Sequence, residues 1–257
     1  MARNSSGDLL AVLQSEYERP FQGWDFSYIT SSGRMQEGLL PWNYPSIVLN
    51  AARKASSLLD IGTGGGELLS LLLPLPSRTY ATESYVPNVE VAKRRLEPLG
   101  VKVVKTKVGE HLPFENRTFD VVIDRHEDYS APEVFRVLRK GGTFITQQVG
   151  PKNNGSLYRS LGLHGVATIT WNQREAVKEL EGVGFDIEDQ REALAVTRFY
   201  DVGALVYYLK AIPWEVPDLS VERYFRPLKR MNQIVLRKGY VETERHRCLI
   251  VARKANG

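Results

Sequence analysis

Cysteine is nearly absent: Cys248 is the single one among 257 residues. No intrachain disulfide can form, and the apolar setting Cys248-Leu249-Ile250-Val251 marks it as a core residue of the last strand in a cytoplasmic protein. Histidine is scarce too. The four histidines (His111, His126, His164 and His246) are dispersed, without chelating spacing or a cysteine partner, so no metal site is expected. No apolar run approaches the ~20 residues of a membrane span. Asp8 and Glu16 interrupt the scattered leucines of the N-terminus, which therefore does not read as a signal peptide. The charge excess is only +4, and no RNA-binding module or aromatic-glycine signature accompanies it. What remains, 42% hydrophobic and 25% charged, is the composition of an ordinary globule able to bury a substantial core.

Two further absences concern one segment, Leu58-Leu59-Asp60-Ile61-Gly62-Thr63-Gly64-Gly65-Gly66-Glu67. An apolar run ends in an acid, passes through glycines and re-emerges as an apolar stretch, Leu68 to Leu73. The pattern predicts a buried strand turning sharply into a helix. Glycines 62, 64, 65 and 66 can take positive φ and let a ligand lie against the main chain, with the helix N–H groups aimed at the same spot. A dinucleotide fingerprint, G-x-G-x-x-G/A, needs its third glycine at position 67. Glu67 stands there, and its carboxylate would repel a pyrophosphate. No Lys-Ser/Thr pair closes the loop, which excludes a P-loop.

From Asp60 the pattern D-x-G-x-G-x-G resembles the first motif of class I S-adenosylmethionine-dependent methyltransferases. The resemblance implies a cofactor without phosphate, held by Asp60, Gly62, Thr63, Gly64 and Gly66, whose sulfonium and ammonium groups accept acids such as Asp60 and Glu67. Arg78 to Glu83 reads as a short strand ending in an acid about twenty residues after the glycines, where a carboxylate can accept both hydroxyl protons of a ribose. Glu83, with Ser84 beside it, is the expected ribose ligand.

Alternation of helix and strand continues. Asn88 to Leu99 is an amphipathic helix with Lys93, Arg94 and Arg95 outward. Val101 to Val104 is a strand, and Val121-Val122-Ile123 a strand buried on both faces. The phrase L-P-F-x-x-x-x-F-D, Leu112 to Asp120, is similar to the "type 11" methyltransferases, which include enzymes methylating quinone precursors. Ala131 to Leu138 is a helix closed by Arg139-Lys140-Gly141-Gly142, and Thr143 to Thr146 the fifth strand. V-L-R-K-G-G before an apolar strand is another phrase of that family, so the resemblance spans about residues 55 to 150. It departs at Val108, where relatives carry an Asp for the adenine amino group. Adenine recognition then falls to the backbone at Val108 and Gly109, or to Glu110.

The fold class implied is α/β, a doubly wound, seven-stranded, mostly parallel Rossmann-like sheet over residues 51–257. Residues 1–50 form an N-terminal lid, and a helical insertion at about 198–238 separates a sixth strand (185–188) from a seventh (247–252). In the insertion, Asp201 to Ile212 reads as a packed helix, Pro213 to Pro217 as a break, and Ser220 as the N-cap of a further helix, which Pro227 kinks or delays. Residues 150–171 read as a loop.

The acceptor should meet the carboxyl ends of the strands. The fourth strand runs into Asp124-Arg125-His126-Glu127-Asp128-Tyr129. His126 has an ordinary pKa suited to a general base. Arg125 binds the cofactor or an acidic substrate, or pairs with Glu127 or Asp128. Tyr129, Gln147 and Gln148 are candidate acceptor contacts, as are the aromatics Trp24, Tyr28, Trp42 and Tyr200 of the lid and insertion. No Asn/Asp-Pro-Pro-Tyr/Phe sequence occurs there, against the base-amine methyltransferases that use it. The expected reaction is methyl transfer from S-adenosylmethionine to an oxygen or nitrogen of a small molecule. An RNA acceptor held by the basic 220–238 helix is the alternative, and a non-catalytic cofactor-binding protein a third.

Overall fold

The computed structural model describes residues 6–107, 111–163, 171–216 and 218–255. The N-terminal segment forms α1 (Ser6–Glu18), α2 (Ser27–Thr30), β1 (Met35–Glu37) and α3 (Tyr44–Ala52). Asn43 caps α3, its Oδ1 accepting the Ser46 N–H at 2.8 Å, with Pro45 in the first turn. The alternating region follows: β2 (Ser57–Ile61), β3 (Arg78–Glu83), α4 (Val86–Leu96), β4 (Lys102–Lys105), β5 (Phe119–Arg125), α5 (Ala131–Val137) and β6 (Leu138–Val149). Then come α6 (Gly155–Leu161), α7 (Gln173–Gly182), β7 (Phe185–Phe199), α8 (Val202–Ala211), α9 (Phe225–Lys238) and β8 (Val241–Lys254).

These strands make one sheet in the order β1-β7-β8-β6-β5-β2-β3-β4. Pairings from β6 through β5, β2 and β3 to β4 are parallel, and those of β8 with β6, β8 with β7, and β7 with β1 are antiparallel. The expected seven strands are present and β1 is an eighth. β7 and β8 run 15 and 14 residues, not the short segments expected, and β7 would leave a long open edge. Met35 to Glu37 cover part of it, paired with Phe199 to Thr197.

Strand alternation sorts the core into two layers. Leu58, Ile123, Ile145 and Leu249 face α3 and α4, packing with Val48, Ala92 and Leu96. Leu59, Val122, Phe144 and Ile250 face α5 and α7, packing with Val134, Val137 and Leu180. A third core holds Leu13, Ile29 and Met35 against Leu205, Tyr207 and Leu228. The lid and the insertion, expected as separate pieces, therefore share one apolar core. Arg34 ties them further, reaching Glu16 at 2.8 Å and Asp201 at 2.7 Å.

Local departures from the sequence reading have steric causes. Leu68 to Leu73 does not form an α-helix; Leu69–Leu71 is a single 3-10 turn. Leu69 and Leu72 are buried three residues apart, the repeat of a 3-10 turn, while Leu71 is 79% exposed. Pro74 and Pro76 follow at once, with no N–H to continue a helix. The expected α-helix therefore does not start at the end of the glycine turn. Residues 139–142 do not cap α5, because Leu138 is already extended and begins β6. Residues 155–161 are helical rather than loop. α9 starts at Phe225, with Pro227 in its first turn, while Ser220 Oγ accepts the Arg223 N–H (3.2 Å) in the turn before it.

Gly66 joins turn to core: its φ is +78°, and a Cβ there would lie 2.6 Å from Leu96 Cγ. Gly66→Ala combines a left-handed backbone cost of about 1–2 kcal/mol with overpacking of about 1–3 kcal/mol. A lowered denaturation midpoint is the expected result; an unchanged one would contradict this packing.

Candidate functional site

β2 ends in Asp60 and the chain turns back through Gly62 (φ +64°) and Gly64 (φ +63°). Those angles favour glycine strongly. The turn is pinned by Thr63 N–H to Thr82 O (2.9 Å) and Gly66 N–H to Thr63 O (3.0 Å). Glu83, at the end of the adjacent β3, is 3% exposed and accepts the Tyr85 N–H at 2.7 Å. Burial raises its carboxyl above the usual range, opposed by the N–H groups of Tyr85, Gly64 and Ser84.

Glu127 is the acid that sequence reasoning missed. It follows β5 and lies over Gly62, where a Cβ would fall 2.4 Å from its own Cβ. Burial lifts its carboxyl to about 7, with Glu83 and Asp128 adding to the rise. Burial also lifts Asp60 to about 7, Glu83 contributing, against the pull of the Thr63 hydroxyl and the Arg125 charge. Ile61, Gly62, Ser84, Leu112, Glu127 and Tyr129 are among the residues lining a cleft beside the turn. Two buried acids and the half-buried Glu127 around bare glycine backbone suit a cationic nucleoside and disfavour a pyrophosphate. S-adenosylmethionine fits these residues: Glu83 could hold the ribose diol, the turn could give backbone contact, and Asp60 and Glu127 could balance its positive charges. The buried Tyr129 hydroxyl, without a partner among the described residues, lines the same cleft. Val108, Gly109 and Glu110 lie outside the described residues.

Glu67 does not face this cleft. It pairs with Arg95 and packs over Gly23 and Gly65. Gly23 in turn donates its N–H to Asn88 Oδ1 at 3.1 Å, which clamps the N-terminal segment onto the turn. Trp24 sits beside Gly64 and stacks on Trp214 of the insertion, ring centroids 5.7 Å apart and 15° from parallel.

His126, expected as a base, is in the site but unsuited to that role. Its φ is +68° and its N–H bonds Gln147 O at 3.0 Å. The Trp42 indole donates to Gln147 Oε1 (2.9 Å), so the Gln147 amide N–H faces His126 Nε2 at 3.3 Å and makes that nitrogen an acceptor. Burial and the charges of Arg247, Arg125 and Arg245 depress its pKa well below the ordinary value. A base that holds a proton so weakly is mismatched to neutral pH. Trp42, 8% exposed, and Gln147 are consumed in this network.

Three other expected acceptor contacts are used elsewhere. Gln148 lies on the other face of β6, its amide bonded to Asp124 Oδ1, Thr146 Oγ1 and Glu127 O. Tyr28 donates to Glu16 (3.1 Å), with the Arg19 guanidinium 4.2 Å from its ring centroid. Tyr200 donates to Gln36 at 2.8 Å beyond the end of β7. Sequence alone could not separate these aromatics from pocket residues, since their partners are remote in the chain.

Arg125 pairs with neither Glu127 nor Asp128. Arg125, Gln147 and Leu249 are aligned across β5, β6 and β8, so Arg245 and Arg247, two and four residues before Leu249, share that face. Arg245 and Arg247 are each 7% exposed. The Nε atoms of all three arginines are buried without a partner among the described residues. Each uncompensated buried cation costs several kcal/mol (roughly).

On the opposite face β8 presents His246 and Cys248, two residues apart, and β7 presents Glu192; their ligand-type atoms lie within 4.8 Å of one another. Dispersion in sequence hid this grouping. Both ring nitrogens of His246 are engaged, Nδ1 accepting the Lys152 N–H (3.1 Å) and Nε2 donating to Glu192 (2.7 Å). Burial pushes the Cys248 thiol up to about 12, so it stays protonated.

Residues 59–146 match the family described as a methyltransferase domain, type 11. A protein-L-isoaspartate O-methyltransferase of Dictyoglomus thermophilum is 32% identical over 104 residues, 40% of this chain and 47% of that protein. The chain spans about half the length of the curated relatives it matches. Among solved structures, the YcgJ protein of Bacillus subtilis is similar with a TM-score of 0.56 at 17% identity, covering 83% of this chain and 99% of that one. A geranyl diphosphate methyltransferase in complex with sinefungin gives 0.50 at 16% identity, over 82% of this chain and 76% of its own. At such identities these likenesses concern the fold. Together with the glycine turn, the family match identifies residues 59–146 as a methyltransferase domain of the type 11 family.

Proposed function

We propose that the protein transfers the methyl group of S-adenosylmethionine to an oxygen or nitrogen of a small molecule. The observation that carries this reading is the set of acids, buried Asp60 and Glu83 and half-buried Glu127, around a bare glycine turn at the carboxyl end of β2. Bound cofactor supplies an electrophilic methyl group. The chain's own work is to position it: Glu83 holds the ribose, the glycine backbone approaches closely, and Asp60 and Glu127 balance positive charge. Trp24, beside Gly64 and stacked on Trp214, sets the lid and the insertion next to the glycine turn.

A lid and insertion that share one apolar core and reach the glycine turn through Trp24 support a small acceptor over a polymer. The isoaspartate methyltransferases named above act, by their names, on a protein. Their match leaves more than half of this chain unaligned, so the acceptor here depends on residues of its own cap. Of the basic residues near α9, Arg223 is paired with Asp218 and Lys238 with Glu242, which weakens the case for an RNA surface.

Calorimetric titration with S-adenosylmethionine tests the reading. Micromolar binding is expected, and Asp60→Ala should weaken it by about tenfold or more, the loss of a charge-assisted contact of about 1.5–3 kcal/mol. Absence of binding to the unaltered protein would remove the proposal. Salt-dependent binding to bulk RNA, abolished by charge reversal at Arg226 and Arg230, would replace the small acceptor with RNA.

A further inference from the structure

The arginines at the carboxyl edge of the sheet are not explained by the cofactor cleft. Arg125 ends β5, and Arg245 and Arg247 open β8 on the same face, close enough that each charge acts on the others. Arg245 donates to Gly38 O at 3.2 Å and pairs with the exposed Glu37 at 3.0 Å. Arg247 donates only to neutral acceptors, Asn153 Oδ1 (2.7 Å) and His246 O (2.8 Å). Arg125 makes no hydrogen bond among the described residues, and every Nε of the three is orphaned. Two of these side chains are more than nine-tenths buried. Asp60 acts on the Arg125 charge and Glu215 on that of Arg247, but only the exposed Glu37 is paired with any of the three among the described residues, which leaves buried guanidinium N–H groups unpartnered, the arrangement that binds an oxyanion.

We propose that Arg125, Arg245 and Arg247 form an anion subsite that receives a carboxylate or phosphate group of the methyl acceptor. This rests on the methyltransferase reading for its role, though not for its chemistry. The elements that build the cluster also place it well. Arg125 directly precedes His126 and Glu127, and Glu127 lies over Gly62, so an acid held by the arginines would be anchored beside the cofactor cleft. Tyr208 of α8, whose hydroxyl oxygen accepts from Asn154 Nδ2 at 3.1 Å, also acts on the Arg247 charge, so the insertion bears on the subsite.

The test uses the full-length protein saturated with S-adenosylhomocysteine. Sulfate, inorganic phosphate and benzoate are titrated at constant ionic strength against chloride, with binding read by calorimetry and melting temperature. Saturable binding of at least one of these anions is expected, weakened tenfold or more in Arg247→Gln and in Arg125→Gln, and partly restored in Arg247→Lys. Preference for benzoate over phosphate assigns a carboxylate, and the reverse a phosphate. S-adenosylmethionine affinity, measured separately, should change less than threefold in Arg247→Gln and Arg247→Lys. In acceptor screens, acids should be methylated and their amides ignored, a preference lost in Arg247→Gln. Absence of saturable anion binding by the unaltered protein overturns the subsite. So does loss of S-adenosylmethionine binding in the Arg247 variants, which would give the cluster to the cofactor's own carboxylate. If the unaltered protein binds benzoate but not S-adenosylmethionine, the transferase reading fails while the anion subsite stands.

Discussion

Glu83→Ala is expected to weaken S-adenosylmethionine binding by two orders of magnitude or more. The carboxylate closes β3 with one oxygen already accepting the Tyr85 N–H, which fixes its orientation. Two charge-assisted hydrogen bonds to a ribose diol are worth about 1.5–3 kcal/mol each, and about 1.4 kcal/mol corresponds to tenfold in affinity. Glu83→Gln separates binding from structure. It keeps the shape and one acceptor but cannot accept both hydroxyl protons, so an intermediate loss of about tenfold to a hundredfold is expected. Calorimetry with melting temperatures in parallel decides the matter. Tight binding in both variants at normal stability would mean that the diol lies elsewhere.

Raising the pH from 5 to 8 should tighten S-adenosylmethionine binding by about a hundredfold, and S-adenosylhomocysteine binding much less. Asp60 and Glu127 both sit at about 7 without ligand, chiefly through burial. At pH 5 they carry protons that a nearby cation must displace, because a positive charge favours the ionised form. Each displaced proton contributes up to about tenfold per pH unit below the ligand-free pKa and nothing above it. Affinity therefore climbs toward pH 7 and levels off beyond. The demethylated product lacks the sulfonium charge, so its slope is the internal control. Equal slopes for the two ligands would show that the acids do not face the sulfur. The same groups act on stability with the opposite sense. Their folded-state pKa values are raised, so the ligand-free protein holds extra protons between about pH 4 and 7. The stability that these two groups contribute is lost as pH rises through that window, and bound S-adenosylmethionine should restore it.

The cofactor half of the site was legible because its signals are local. Asp60 and the glycines are consecutive, their positive φ values follow from the turn they make, and Glu83 ends the very next strand. The neighbouring errors arose where a local pattern met a non-local constraint. Leu68 to Leu73 looks helical until the prolines behind it limit it to one turn. Glu67 looks ligand-facing until α4 supplies Arg95. His126 has the right chemistry in isolation, but three arginines from two strands and the depth of the site remove its basicity.

What the sequence determined by itself is the alternating α/β order, the glycine turn with its acids, and hence the cofactor class. Those features repeat at the period of a single strand or helix, so they survive without knowledge of what packs beside them. Only the tertiary structure decided that the lid and insertion share one core, that Glu127 covers Gly62, and that Arg125 meets Arg245 and Arg247. The last two arginines stand some 120 residues from the first (positions 125, 245 and 247), and nothing in either stretch encodes the other. Antiparallel pairing of β8 with β6, in a register that aligns Leu249 with Gln147, is what converts two distant stretches into one buried, positively charged face.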